Sequence, residues 1–260
     1  MIKFLCRKIT LFFLLLTNTA YAVQTDNPGS DFVQANNPIA NIKAFNIQNY
    51  YYPDISGFHS NGDTFWLRYA QPVKKFLIRA SMPIENFPTN FAHPTGTGDF
   101  NIFAAYLLDT GNPSISFGLG PLIVAPTASP STLGASKWQG GLAIVYFNGN
   151  SKKIQFGGLM TYQVDFSGNQ KREHTSILAV QPFVFYQLGK GYYLRTAPIW
   201  TFNFVSNSHV VPLSLGLGKI NKVGKIVYNF FIEPQFSISH NGVGQPLIQI
   251  YTALNLQFLW

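Results

Sequence analysis

Histidine and serine stand two residues apart in His174-Thr175-Ser176, and on a strand that spacing puts both on one face. A serine becomes nucleophilic beside a base, so the pair offers the chemistry of a membrane lipid hydrolase. Its setting argues the other way, because Lys171-Arg172-Glu173 precedes it, the composition of an exposed loop edge. His59-Ser60 and Ser208-His209 are weaker versions of the same pairing. The histidines His59, His93, His174, His209 and His240 lack the close, repeated spacing of a zinc site, so no metal is expected. Gly96-Thr97-Gly98-Asp99 and Gly216-Leu217-Gly218-Lys219 are followed by no helix that would cradle a phosphate, and no cofactor is expected either.

The other residues with chemistry in them are charges set in apolar, strand-like runs: Arg68, Arg79, Asp99, Arg195 and Glu233, with Trp66 beside the first. Pointing inward from a sheet closed on itself, they form either a filter that orients a polar or anionic solute or a ladder of mutually neutralised ions that fills the interior. Both readings put them inside, and the elements around them decide whether there is an inside.

Residues 1–22 read as a targeting segment. Lys3, Arg7 and Lys8 form a positive start, Ile9 to Leu16 an apolar run, and Ala20-Tyr21-Ala22 a cleavage site. That run is far shorter than the roughly 20 residues of a spanning helix. The single cysteine, Cys6, lies before it and leaves with it, so neither disulfides nor thiol chemistry are expected. Without Lys3, Arg7 and Lys8 the net charge of +8 falls to +5, a mild excess with no long like-charge block, and an exported chain does not point to nucleic acid. The telling combination is 47% hydrophobic and 16% aromatic with only 11% charged residues, against about 25% charged in ordinary globular chains.

Residues 23–38 are polar and turn-rich, and read as a flexible periplasmic leader. Residues 39–260 then read as the barrel, in runs near 40–51, 63–71, 75–84, 98–109, 114–125, 137–148, 153–165, 175–188, 191–204, 209–219, 224–238 and 246–260. Period-two runs of about ten residues separated by turns are the pattern of a transmembrane β-barrel. The fold expected is all-β: an antiparallel up-and-down barrel of about twelve strands in the bacterial outer membrane. Long connections (PDISGFHSNG, ENFPTNFAHPTGT, PTASPSTLGAS, SGNQKREH) alternate with short ones (PVK, TGNP, NGNS, GKG), although SNSH is shorter than its external position predicts. Such a barrel is narrower than an open porin of 16 to 18 strands, so its lumen should be constricted.

A two-residue turn at Val73-Lys74 would pair Phe65 with Met82, Leu67 with Ala80 and Tyr69 with Ile78 on an apolar face, and Trp66 with Ser81 and Arg68 with Arg79 on the other. Arginine on the lipid side costs about 2 to 4 kcal/mol at the bilayer midplane, so both arginines belong inside, with acidic partners expected near them. The closing stretch LIQIYTALNLQFLW shows the same parity. Ile248, Ile250, Leu254, Leu256 and Phe258 face lipid, Gln249, Tyr251, Asn255 and Gln257 face the interior, and Phe258 and Trp260 form an interfacial aromatic end.

Several pieces, in order, resemble the outer-membrane proteins grouped under the meta-pathway of phenol degradation. They are Asn37 to Asn41 with Gln48-Asn49-Tyr50, LIRASMPI (77–84), GTGDFN (96–101), FGLGPLIVAPTAS (117–129), LGASKWQGG (133–141), QPFVFY (181–186) and VPLSLGLGKI (211–220). The final strand departs from members ending in a Phe-Pro-Lys type tail. The resemblance implies an outer-membrane barrel that passes small hydrophobic or aromatic compounds, and a terminal aromatic, Trp260, of the kind the barrel-assembly machinery recognises. The function expected is a passive channel for such solutes, in contact with outer-membrane lipid. The alternative is a closed structural or binding barrel whose external loops meet a partner or surface.

Overall fold

The computed structural model describes residues 34–89 and 92–259. The targeting segment, most of the leader and Trp260 lie outside the described residues. Fifteen strand segments form one antiparallel sheet: β1 (Lys43–Ile55), β2 (Gly62–Val73), β3 (Phe76–Asn86), β4 (Thr95–Thr97), β5 (Phe100–Leu108), β6 (Ile115–Ala125), β7 (Lys137–Asn148), β8 (Ile154–Gly168), β9 (Ser176–Gly189), β10 (Tyr192–Thr196), β11 (Trp200–Asn203), β12 (Ser208–Ser214), β13 (Gly216–Val223), β14 (Ile226–Asn241) and β15 (Pro246–Phe258). β4 with β5, β10 with β11, and β12 with β13 each make one interrupted strand, so the sheet is a barrel of 12 strands. It closes where β1 pairs with β15, from Lys43 opposite Phe258 to Ile55 opposite Pro246. Closure leaves no unpaired edge.

Strict alternation explains why this sequence takes this shape. Along β14, Val227, Asn229, Phe231, Glu233 and Gln235 are buried, while Ile232, Phe236 and Ile238 are exposed on the outside. β15 repeats this with Gln249, Tyr251, Ala253 and Gln257 inside. The exterior is a belt of apolar side chains, among them Leu119, Leu142, Tyr162 and Leu217. The usual rule is inverted here, with amides and ions inside and aliphatic residues outside, as a lipid-facing barrel requires.

At the end where β1 begins and β15 finishes the connections are tight. Lys74-Lys75, Lys190-Gly191 and Gly224-Lys225 join neighbouring strands, with Lys74, Lys190 and Gly224 at φ of 55°, 52° and 57°, as short hairpins demand. The other end carries the longer connections, including residues 126–136, which contain a 3-10 turn at Ser131–Leu133.

The β2–β3 register differs from the sequence expectation by two residues. Val73 pairs with Phe76 across a Lys74-Lys75 turn, so Phe65 faces Ile84, Leu67 faces Met82, Arg68 faces Ser81 and Arg79 faces Ala70. Lys74 takes the left-handed conformation, which β-branched Val73 resists. A shift of two preserves the faces, so both arginines still point inward, but they are not directly opposed.

The leader boundary also differs. Residues 34–38, read as flexible leader, lie inside the barrel with residues 39–42. Ala35, Asn37, Ile39 and Ala40 are buried. Ala35 belongs to a buried cluster with Phe147, Phe183 and Tyr193, and Ile39 to one with Ala70, Leu77 and Val145, so the segment crosses the bore near the start of β1 and the end of β15. Its polar groups find polar partners on the inner wall: Asn37 Nδ2 donates to Ser116 Oγ at 3.0 Å, and Asn229 Nδ2 and Gln257 Nε2 donate to Ala35 O at 3.2 and 3.3 Å.

Candidate solute path through the barrel

The strand breaks build the centre of the bore. β10 ends at Thr196 and β11 resumes at Trp200, facing the break between β12 and β13. Freed from the ladder, the Ala197 amide donates to Glu233 Oε1 at 2.9 Å, and Gln235 Nε2 donates to the same oxygen at 3.2 Å. Arg195 Nε donates to Glu233 Oε2. Both ions are buried, which is tolerable because the carboxylate is paired and its oxygens are occupied. The Arg195 guanidinium lies 3.3 Å from the Phe231 ring centroid. Phe231 meets Tyr251 edge-on at 4.9 Å, and Tyr251 stacks on Tyr50 at 4.0 Å. Gly218 leaves room for the Tyr193 ring, whose hydroxyl donates to Asn229 Oδ1 at 2.6 Å.

On β2, beside the strand that carries Tyr50, Arg68 Nη1 donates to Gln48 Oε1 at 2.6 Å and its guanidinium lies 4.5 Å from the Trp66 ring. Arg79 sits 4.4 Å from the Phe103 ring. Neither arginine has an acidic partner among the described residues. Asp99, expected near them, accepts instead from the backbone amides of Ala128 and Ala135 at 3.1 and 2.8 Å and pins the 126–136 loop.

These side chains separate two cavities. A vestibule of about 780 Å³ opens at the long-loop end, with Trp66, Glu85, Asp99, Asn101, Gln163 and Asn203 on its walls. A chamber of about 130 Å³ lies toward the start of β1 and the end of β15, walled by Arg68, Arg79, Arg195, Phe231, Tyr251 and the 35–42 segment. Of the lining residues expected from sequence, Trp66 and Asp99 face the vestibule, while Arg68, Arg79, Arg195, Tyr251, Asn255 and Gln257 face the chamber. Glu233 and Gln249 are buried and border neither cavity. Phe258 sits on the outer face at the end of β15.

Sequence reasoning missed the 35–42 segment and a latch under the external loops. Lys137, 1% exposed, reaches Asp165 Oδ2 at 3.1 Å, the same oxygen lies 3.0 Å from His174 Nδ1, and Asp165 Oδ1 accepts from the Thr175 amide at 2.5 Å. The inward parity of Lys137 and Gln139 on β7 was the available signal for the latch. His174 and Ser176 do not come together. The imidazole turns to Asp165, while Ser176 Oγ bonds Tyr162 Oη on the outer face at 3.1 Å, so the two side chains take different partners. Among the described residues no cluster of three or more histidine, cysteine or acidic side chains is arranged to hold a metal.

A closed antiparallel barrel of 12 strands, apolar outside and polar-aromatic within, is the class that fold and bore define. No protein-family model matches the chain, and no curated protein sequence matches it. Among solved structures it is similar to the COG4313 outer membrane channel from Pseudomonas putida F1, with a TM-score of 0.59 at 12% identity over 84% of this chain and 96% of that one. It is also similar to the NanC porin, with a TM-score of 0.54 at 13% identity over 83% of this chain and all of that one. At these identities the likeness is one of fold.

Proposed function

We propose that this protein is a bacterial outer-membrane channel through which small hydrophobic or aromatic molecules pass passively, after export directed by residues 1–22. The observation that carries the reading is the shape of the bore, in which a vestibule of about 780 Å³ narrows onto a chamber of about 130 Å³ whose wall includes the rings of Phe183, Phe185, Phe231 and Tyr251. The channel fold of the structural neighbours and the ordered resemblance to the phenol meta-pathway proteins support it. In this reading the apolar belt meets outer-membrane lipid, and the barrel-assembly machinery inserts the chain. Solutes enter from the long-loop side, and the 35–42 segment must yield for them to leave.

Vesicles containing the purified protein are expected to take up 3-phenoxy-1,2-propanediol, an uncharged aromatic solute, faster than empty vesicles in stopped-flow swelling. Uptake no faster than in empty vesicles would sink the proposal. The lodged segment favours one rival, a closed barrel serving as a structural or binding element, and absence of flux even after the segment is removed would favour it. The membrane placement has its own test. Leu142→Arg, on the belt, is expected to cost about 2 to 4 kcal/mol in urea titrations of the vesicle-folded protein, and an unchanged midpoint would contradict a lipid-facing belt.

A further inference from the structure

Charge around the chamber does not balance. Glu233 neutralises Arg195, but Arg68 and Arg79 face the same space with no carboxylate on its walls. Their Nε atoms are both buried and lack acceptors, as does Asn36 Nδ2 on the same wall, while the partnerless Tyr50 and Ser81 hydroxyls and Gln235 Oε1 lie off it. The three on the chamber wall are all hydrogen-bond donors. Guanidinium charge held in a partly buried space without a counter-ion is costly, and a chamber walled by two such groups favours a negatively charged occupant. The rest of the wall mixes amides, among them Asn46, Gln48 and Gln181, with the aromatic rings of Phe183, Phe185, Phe231 and Tyr251. Its volume of about 130 Å³ is close to that of the roughly 150 Å³ apolar cavity known to take a benzene ring.

We propose that the chamber binds an aromatic carboxylate, its carboxylate held by Arg68 and Arg79 and its ring lying against Phe231 and Tyr251. Guanidinium groups match the planar, two-oxygen geometry of a carboxylate better than other cations do. The proposal deepens the channel reading by naming the solute class, and in that sense rests on it. Binding and passage are nevertheless separate measurements.

The test is calorimetric titration of the full-length protein in detergent micelles with benzoate, benzamide and acetate. Benzoate is expected to bind about tenfold or more tighter than either of the others, the worth of a charge-assisted hydrogen bond set. Arg79→Gln and Arg68→Gln are each expected to weaken benzoate about tenfold while leaving benzamide unchanged. Equal affinities for benzoate and benzamide in the unaltered protein would overturn the proposal, and this comparison needs no variant to fold. Arginine variants that keep full benzoate affinity would overturn it as well. Faster vesicle uptake of 3-phenoxy-1,2-propanediol without preferential benzoate binding would leave the channel and remove the site. Benzoate binding without uptake of any solute would do the reverse.

Discussion

Removing residues 34–41 is expected to raise single-channel conductance in planar bilayers several-fold. The segment occupies the bore near the start of β1, where Ala35 shares a buried cluster with Phe147, Phe183 and Tyr193, and Ile39 one with Leu77 and Val145. Nothing in the barrel ladder depends on it, because β1 begins to pair at Lys43 opposite Phe258. The deletion therefore opens the lumen and leaves the wall intact. It exposes Asn229 and Gln257, which lose Ala35 O as an acceptor but gain water, so a small stability change is expected beside the large change in current. Conductance equal to that of the intact protein would mean that the segment is not what closes this end.

The second large effect lies at mid-bore. Glu233→Ala is expected to cost about 3 to 5 kcal/mol, the range for breaking one side of a buried ion pair. The substitution strands the Arg195 guanidinium and also takes the acceptor from Ala197 N and Gln235 Nε2. Replacing the pair together, Arg195→Met with Glu233→Leu, is expected to cost less than the single change, because no charge is left unpartnered. Urea unfolding of vesicle-reconstituted protein measures both. A single-variant cost below about 1 kcal/mol, the range of solvent-exposed pairs, would show that water reaches Glu233 freely.

How much of this was legible in the sequence depends on what kind of signal each feature leaves. Facing is local, since alternate residues of β14 and β15 settle which side each takes, and Asn229, Glu233, Tyr251 and Gln257 lie inside as parity requires. Register depends on one turn. Placing the β2–β3 turn at Val73-Lys74 rather than Lys74-Lys75 kept every face but misassigned the partners of Arg68 and Arg79. Long-range pairing left no trace at all. Asp99 is near the arginines in parity, but it is recruited by loop amides at Ala128 and Ala135, and Glu233 is matched to Arg195 through a strand break that no periodicity announces. The 34–38 stretch was misread for a physical reason. Its asparagines suggest solvent, but in this barrel the polar environment is the interior, where Ser116, Asn229 and Gln257 supply the partners that water would.

The central claim is that the bore is the solute path and the 35–42 segment its gate. Asn37 and Ser116 touch across the bore at 3.0 Å, so cysteines at both positions can be bridged by a short bis-thiol reagent that tethers the segment in place. Vesicles carrying the tethered protein are predicted to take up 3-phenoxy-1,2-propanediol no faster than empty vesicles, while the same protein without the reagent takes it up at the rate of the unaltered barrel. Equal uptake with and without the tether would contradict the account.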